Sequence, residues 1–201
     1  MSANLVSGFL QRRCNFAFLL SAILSVAIAY GSDSPTNTGK LLLQAAFAAE
    51  PIKDCSLLKV GEAQGDLKLN ALTNSSAGSS NVLLLTVTKV GERCGVLFGR
   101  NFEVLTNQWY DLTFRARTEK RENDRGYGLT VSLESRVGKR VCARTTLPEV
   151  GGEWRDYTVA LHAQLAHPAA ALIITLSEPG AIWFEDIELR QRQTGRQKQT
   201  P

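Results

Sequence analysis

Apolar and polar positions alternate with a period of two along most of the chain after residue 54. Segment 109–117 shows the pattern, because its even-numbered positions are apolar and its odd-numbered positions from 111 onward are polar. Segment 127–135 repeats it, with Leu129, Val131 and Leu133 alternating with polar or small residues. This period is typical of a β-strand that buries one face and leaves the other in water. Extended helical periodicity is absent from this part of the sequence.

Turn-forming residues divide the alternating segments into a series of short strands. Polar or glycine-containing turns are predicted at 74–80, 123–126, 137–139 and 178–180. The predicted strands are 56–60, 66–69, 81–90, 95–98, 109–117, 127–135, 140–147, 154–161, 171–176 and 181–190. Many short strands separated by such turns are typical of two stacked antiparallel sheets. We therefore predict an all-β fold, an antiparallel β-sandwich.

The N-terminus has the layout of an export signal. Arg12 and Arg13 precede an uncharged apolar run at 16–30. A basic flank followed by a short apolar stretch is typical of a secretory signal, and the run is shorter than the roughly 20 residues of a membrane span. We predict that residues 1–31 are a signal peptide or a signal anchor. The expected location is secreted, periplasmic or at the cell envelope, with membrane attachment only if the segment is an uncleaved anchor.

The sequence leaves two positions open for signal cleavage. The first lies at the small residues Ala29 and Gly31, directly after the apolar run. The second follows another apolar patch at 41–49, which ends in small residues up to Ala49. We therefore interpret 32–50 as a linker or an extended export segment. The predicted β-sandwich module is 51–190, and 191–201 is predicted to be a basic disordered tail.

Composition excludes some classes of function. Hydrophobic residues make up 44% of the chain and charged residues 21%, which is the ordinary range of a globular protein. The formal net charge is +4, and the C-terminal segment from Arg190 onward contains basic residues and no acidic ones. The body shows no concentrated basic face of the kind that binds nucleic acid. One hypothesis is that the tail contacts an anionic surface, and the alternative is a solvated end.

Three cysteines follow the predicted leader: Cys55, Cys94 and Cys142. Export makes a disulfide plausible, although an odd number leaves one cysteine over. We favour a Cys55–Cys94 pair, since both lie in early strand-like segments. The alternative is that the thiols are buried as small apolar groups. Their spacing does not match a zinc site.

Four stretches of the sequence resemble those of a known family. They are Leu83-Leu84-Leu85-Thr86-Val87-Thr88 followed by Cys94-Gly95-Val96, the segment 107–117 around Trp109-Tyr110-Asp111-Leu112, Gly152-Glu153-Trp154-Arg155-Asp156-Tyr157-Thr158-Val159, and Gly180-Ala181-Ile182-Trp183-Phe184-Glu185-Asp186-Ile187-Glu188-Leu189. In this order they resemble the galactose-binding-like jelly-roll domains typified by carbohydrate-binding module families four and nine, the cenC-type modules. The resemblance covers roughly 55–190. It implies a jelly roll that binds a polysaccharide or other glycan without cleaving it.

The resemblance also implies a structural calcium ion near the closing strand. In the family, the first Asp of an Asp-Asp pair commonly holds this ion. Here the pair is Glu185 and Asp186. Because a glutamate side chain is longer than an aspartate side chain, its carboxylate would reach a different position among the oxygen ligands of a calcium ion.

Sugar binding by a sandwich needs flat aromatic rings for stacking and polar groups for the sugar hydroxyls. Alternation places two tryptophans opposite to the inward positions, and a tyrosine follows the polar turn at 123–126, where it would lie on the rim. The candidate ligand-binding residues are the rings of Trp109, Tyr127 and Trp183 and the polar side chains of Arg115, Arg117 and Glu134. The polar face is also expected to include Thr130, Ser132, Arg136 and Arg144.

The sequence offers little support for catalysis. The histidines are His162 and His167, both near an alanine-rich stretch, and neither a nucleophile-elbow motif nor metal-type histidine spacing is present. Glycoside cleavage needs two carboxylates at a defined separation, and nothing in the sequence brings Glu134 to Glu185 or Asp186. We therefore predict an exported, non-catalytic carbohydrate-binding-type module. The alternative hypothesis is a structural or protein-interaction β-sandwich of the cell envelope without sugar specificity.

Overall fold

A computed structural model describes residues 39–45, 47, 55–72, 80–120, 125–136 and 140–193. All regular secondary structure within these ranges is β-strand. The strands are β1 (Lys40–Ala45), β2 (Cys55–Val60), β3 (Gln64–Leu72), β4 (Ser80–Lys89), β5 (Arg93–Phe98), β6 (Phe102–Val104), β7 (Trp109–Thr118), β8 (Tyr127–Ser135), β9 (Val141–Val150), β10 (Arg155–His162), β11 (His167–Leu176) and β12 (Gly180–Gln191). The predicted signal segment 1–31 and residues 194–201 of the predicted tail lie outside the described residues. The predicted start of the tail at residue 191 is wrong, because Gln191 belongs to β12 and pairs with Lys40. Among those described, we find no apolar helix of membrane-spanning length.

The strands form two antiparallel sheets. In sheet A the order is β10-β7-β12-β4-β3, and β1 also pairs with β12. In sheet B the order is β2-β5-β11-β8-β9, and β6 also pairs with β11. Neighbours in each sheet are often distant in sequence, which is typical of a sandwich built with crossover connections. The predicted all-β antiparallel sandwich is confirmed.

Side chains from one face of each sheet meet in a common core. Alternation along β7 buries Leu112 and Phe114, and alternation along β8 and β11 buries Leu133 and Ile174. The Phe114 ring stacks on Tyr157 with a centroid distance of 5.4 Å. We call these faces inner, and the opposite face of each sheet outer. Removing so many large apolar side chains from water provides most of the stabilising free energy.

Strand β1 corrects the assignment of 32–50 to a linker. Residues 40–45 pair antiparallel with β12, with Lys40 opposite Gln191 and Ala45 opposite Ile187. Leu42, Leu43 and Ala45 are 7%, 2% and 2% exposed. The register shifts between Leu41 and Leu43, and this irregularity, together with three consecutive leucines, hides the period of two in the sequence. A chain cleaved after residue 49 would therefore lack one strand of sheet A.

The predicted Cys55–Cys94 disulfide is wrong. In the β2–β5 ladder, Cys55 is opposite Phe98 and Cys94 is opposite Lys59. The two cysteines are thus four residues apart along the strand direction, about 13 Å, whereas disulfide-bonded Cα atoms lie within about 7 Å. Cys94 and Cys142 are buried thiols, and burial raises the pKa of each.

We expect Leu43→Ala to lower the free energy of unfolding by about 2–5 kcal/mol, because it opens a cavity beneath β1. Leu41→Ala is the matched control. Leu41 belongs to the same strand but is 40% exposed, so its loss should change stability by no more than about 0.5 kcal/mol. Urea unfolding of both variants measures the difference. Equal effects would show that β1 does not contribute to the core in solution.

Candidate functional site

The structure separates the six predicted ligand-binding residues into three locations. Trp109, Trp183, Arg115 and Arg117 lie on the outer face of sheet A, as alternation along β7 and β12 requires. Glu134 lies on the outer face of sheet B, because its neighbour Leu133 points into the core. Tyr127 lies in the interior. The two outer faces therefore have to be compared as candidate sites.

Tyr127 is not the exposed rim residue that the sequence predicted. It is 2% exposed, and its hydroxyl donates a 2.6 Å hydrogen bond to Glu119 Oε1. The ring packs against Gly180 so closely that a Cβ added there would lie 2.0 Å from a ring atom. Its position in β8 shares the inward side with Leu129, and this alternation outweighs its proximity to the polar turn. The ring is inaccessible to a ligand.

One end of the outer face of sheet A carries Trp109. Its ring is 42% exposed and lies beside that of His162, with centroids 4.7 Å apart. The guanidinium carbon of Arg192 lies 5.4 Å from the Trp109 ring centroid. Arg192 donates two hydrogen bonds of 2.6 Å to the Asp111 carboxylate, and these raise the pKa of Arg192. One side of the tryptophan is therefore occupied by the protein's own side chains.

The other end of this face holds a cation–π stack. The guanidinium carbon of Arg117 lies 5.4 Å from the ring centroid of Trp154 and 4.8 Å from that of Trp183. Arg115 lies 5.7 Å from the same Trp154 ring and forms a 3.4 Å ion pair with Glu185. Such contacts stabilise a surface by about 0.5–1 kcal/mol each. They also occupy ring faces that a sugar would need.

The two aromatic groups of sheet A do not form one stacking platform. Trp183 is opposite Arg117 in the β12–β7 ladder, and Trp109 lies eight residues away along β7. Eight residues of extended strand span about 27 Å. The predicted tryptophans therefore share a face without sharing a site.

The carboxylates proposed for calcium lie at a β-bulge. Pairing between β12 and β7 shifts register between Glu185 and Glu188, and Asp186 within the bulge has a positive φ of 49°. Glu185 is 7% exposed and is paired with Arg115. In the portion of the chain that the structure describes, no group of three or more His, Cys, Asp or Glu side chains is arranged to hold a metal ion. The described residues therefore provide no set of side-chain ligands for the expected calcium ion.

The outer face of sheet B has a polar half and an aliphatic half. One row across the strands reads Thr146, Thr130, Thr175, Gly95 and Leu58, and the next reads Arg144, Ser132, Ile173, Leu97 and Ser56. The hydroxyl groups cluster over β9, β8 and β11, and the aliphatic side chains lie toward β5 and β2. Sugars present both hydroxyl groups and apolar ring faces, and this face offers partners for both.

A buried carboxylate organises the polar half. Glu134 is 3% exposed. Arg93 donates two hydrogen bonds to its carboxylate at 2.8 and 3.0 Å, and Arg144 donates one at 3.3 Å. Burial alone would raise the pKa of Glu134, but the arginine contacts hold that pKa below its ordinary value. Glu134 is therefore ionised at neutral pH and fixes the two guanidinium groups in place.

The same ion pair shows that this face is concave. Arg93 directly precedes Cys94, which is opposite Leu176, whereas Glu134 is opposite Ala171. Six residues along β11 therefore separate their rows, about 20 Å in a flat sheet, with a further two strand spacings across. Side chains on one face bridge such a diagonal only if the twisted sheet bends toward that face along it. The outer face of sheet B is thus concave along this diagonal, and we call this concave region, with the ion pair on its floor, the groove.

Arg93, Thr146 and Thr175 were missing from the predicted site. Arg93 falls just before the predicted strand 95–98, and its outward position follows from the inward Cys94 and Val96. That alternation is a signal available in the sequence. Its pairing with Glu134, 41 residues later, depends on the order of strands in sheet B. Sequence alternation does not supply this order.

Exchange of the buried carboxylate tests the organisation of the groove. Glu134→Gln leaves both arginines without their anionic partner, and we expect a loss of about 1.5–3 kcal/mol in the free energy of unfolding at pH 7. Glu62→Gln is the matched control, because Glu62 forms an exposed ion pair with Lys89 of the kind that contributes about 0–1 kcal/mol. Urea unfolding measures both variants, and equal losses would contradict the role given to Glu134.

The pH dependence has a defined sign. Since the folded protein lowers the pKa of Glu134, its contribution to stability is fully present above the unfolded value of about 4.3. It is lost as the pH falls through the lower folded-state pKa. In Glu134→Gln this part of the acid destabilisation should be missing. Unfolding curves collected between pH 7 and pH 3 compare the two proteins, and parallel profiles would argue against the assignment.

Comparison with known proteins supports the fold. No protein-family model matches the chain, and no match is found among curated proteins. An arabinose-bound α-L-arabinofuranosidase superposes with a TM-score of 0.60 at 19% identity, covering 76% of this chain and 26% of that enzyme. The CBM22-1 and GH10 modules of endo-1,4-β-D-xylanase 10B from Clostridium thermocellum, in complex with xylohexaose, give 0.53 at 16% identity, covering 78% and 29%.

A third similar structure matches over nearly its whole length. The second N-terminal cellulose-binding domain of β-1,4-glucanase C from Cellulomonas fimi gives a TM-score of 0.53 at 14% identity, covering 79% of this chain and 99% of that domain. By contrast, the chain spans only about a quarter of the arabinofuranosidase and of the xylanase structure. At these identities the likeness shows the fold. The predicted jelly-roll β-sandwich is confirmed.

Proposed function

We propose that this chain is a non-catalytic module that binds a polysaccharide in the groove on the outer face of sheet B. The observation that carries the proposal is the concave shape of this face, with hydroxyl and guanidinium groups on one side and aliphatic side chains on the other. The similar structures support it, since one is a cellulose-binding domain of about the same extent and another was solved with xylohexaose.

Binding in this groove would combine two kinds of contact. Thr146, Thr130 and Arg144 would exchange hydrogen bonds with sugar hydroxyl groups, while Leu97 and Leu58 would pack on the apolar faces of sugar rings. Glu134 holds the guanidinium groups in position before the ligand arrives, so less side-chain entropy is lost on binding. No covalent bond is formed or broken.

The state of Glu134 argues against hydrolysis in the groove. A glycosidase needs a carboxylic acid that protonates the leaving oxygen, with a raised pKa, and a second carboxylate at a set distance. Glu134 has a lowered pKa and is already engaged by two arginines. It is therefore suited to positioning donors and unsuited to donating a proton.

Removal of one hydroxyl from the groove tests the site. Thr130→Val should weaken polysaccharide binding by about 2- to 12-fold, the loss expected for a neutral hydrogen bond. Thr158→Val is the matched control, since Thr158 is exposed on the outer face of sheet A. Affinity gel electrophoresis against xylan, β-glucan and pectin measures the change.

Further outcomes decide between the two faces and between functions. Trp109→Ala and Trp183→Ala should leave binding intact, and a selective loss in these variants would move the site to sheet A. If the chain binds none of these polysaccharides, the proposed function is rejected. That result would favour a structural or protein-interaction sandwich instead.

We infer that the module acts outside the cytoplasm, on the strength of the signal-like segment 1–31. Because β1 contributes buried side chains, a functional mature chain would retain residues 40–45. Cleavage should therefore fall near Ala29–Gly31. N-terminal sequencing of the exported protein gives the position, and a mature chain beginning at or after residue 46 would contradict this.

A further inference from the structure

We propose that the polysaccharide bound in the groove of sheet B is anionic, carrying carboxylate or sulfate groups that pair with Arg93 and Arg144. This inference rests on the proposed function and specifies its ligand class. It is carried by the charge, the exposure and the side-chain types of the groove.

The groove has an excess of positive charge at its centre. Two guanidinium groups share the single carboxylate of Glu134, and Arg136, directly after β8, donates a hydrogen bond to the Phe98 carbonyl at 3.1 Å. The other acidic side chains in the described strands of sheet B lie toward its ends. They are Glu103 in β6 and Glu149, which accepts a hydrogen bond from Gly126 N.

The exposure of the ion-paired groups is asymmetric. The side chain of Glu134 is 4% exposed, whereas those of Arg93 and Arg144 are 29% and 49% exposed. A guanidinium group carries five N–H donors. The contacts with Glu134 use two donors of Arg93 and one of Arg144. The carboxylate thus lies beneath the arginines and leaves donor groups facing the groove.

A hydroxyl group on the floor also lies close to the Glu134 carboxylate. Ser132 is 1% exposed and lies between Arg144 and Ile173 in its row. Its hydroxyl is close enough to Glu134 to help lower the pKa of that carboxylate. The floor of the groove therefore provides a third group that keeps Glu134 ionised beneath the arginines.

The side-chain types in the groove favour charge over stacking. The aromatic side chains in the described strands of sheet B are Phe98, Phe102 and Tyr127, and all are buried, at 0%, 7% and 2% exposure. Stacking of sugar rings on aromatic side chains is therefore not provided by these strands. Guanidinium groups bind carboxylate and sulfate oxygens through charge-assisted hydrogen bonds, which are about twice as strong as neutral ones. An anionic ligand would obtain from the arginines the favourable contacts that aromatic rings provide in other sugar-binding sites.

The test uses the full chain with defined polymers. Polygalacturonate supplies carboxylates, dextran sulfate supplies sulfates, and unsubstituted dextran and xylan supply neutral controls. Isothermal titration calorimetry at low and high salt should show binding to one or both anionic polymers at least 10-fold tighter than to the neutral ones. The affinity should fall as salt increases. The preferred anionic polymer identifies the group that the arginines contact.

Variants locate the charge recognition. Arg144→Gln should weaken anionic binding by about 10- to 100-fold, the loss of a hydrogen bond to a charged group. Arg155→Gln, an equal change in charge at an exposed position of β10 in sheet A, should have little effect. Because Arg144 also contacts Glu134, thermal unfolding of the variants is compared first. If Arg144→Gln unfolds, Arg136→Gln tests the same charge recognition from an exposed position beside the groove.

Three results would overturn the inference, and they differ in what else they reject. Equal affinity for neutral and anionic polymers would reject the anionic preference and leave the polysaccharide-binding function standing. Binding to none of the polymers in this set or in the screen above would reject both. In the third result, anionic binding is retained in Arg144→Gln and Arg136→Gln but is lost when the chain is stopped after Gln193. This would assign the charge recognition to the C-terminal tail.

Discussion

Hydrogen bonding along both edges of β12 holds sheet A together. One edge pairs with β7 over most of its length, and the other pairs first with β4 and then with β1. A strand in this position has to keep its apolar side chains on one face throughout. The bulge between Glu185 and Glu188 solves a conflict in the sequence, because the inward positions change from Ile182 and Phe184 to Ile187 and Leu189. Without the extra residue, a one-residue slip would turn those apolar side chains outward.

Alternation was sufficient to predict the class of fold and most strands, since the period of two is a local property of the sequence. It failed where local pattern and tertiary context differ. β1 was missed because Leu41, Leu42 and Leu43 are consecutive and its partner lies at the far end of the chain. β6 was missed because three residues from Phe102 to Val104 are too few to show a period. The bulge in β12 was hidden because the sequence shows one unbroken run.

The candidate site was predicted less completely than the fold, and the reason is geometric. Alternation correctly placed Trp109 and Trp183 opposite to inward positions, but it gave no distance between them along the sheet. It also identified Glu134 as outward, while its partner Arg93 is brought near by the order β5-β11-β8. Curvature of sheet B, which converts a surface into a groove, arises from twist accumulated over several strands. This curvature cannot be predicted from the sequence of a single strand.

The pairing of β1 with β12 has a consequence for how the folded body is tethered. Lys40, at the start of β1, is opposite Gln191, at the end of β12, and Arg190 donates a hydrogen bond to the Gly39 carbonyl. The polypeptide therefore enters and leaves the sandwich at neighbouring points on one edge. A body with adjacent ends can be inserted into a surface loop of another protein without forcing that loop apart. The same arrangement lets it be suspended from a single attachment point.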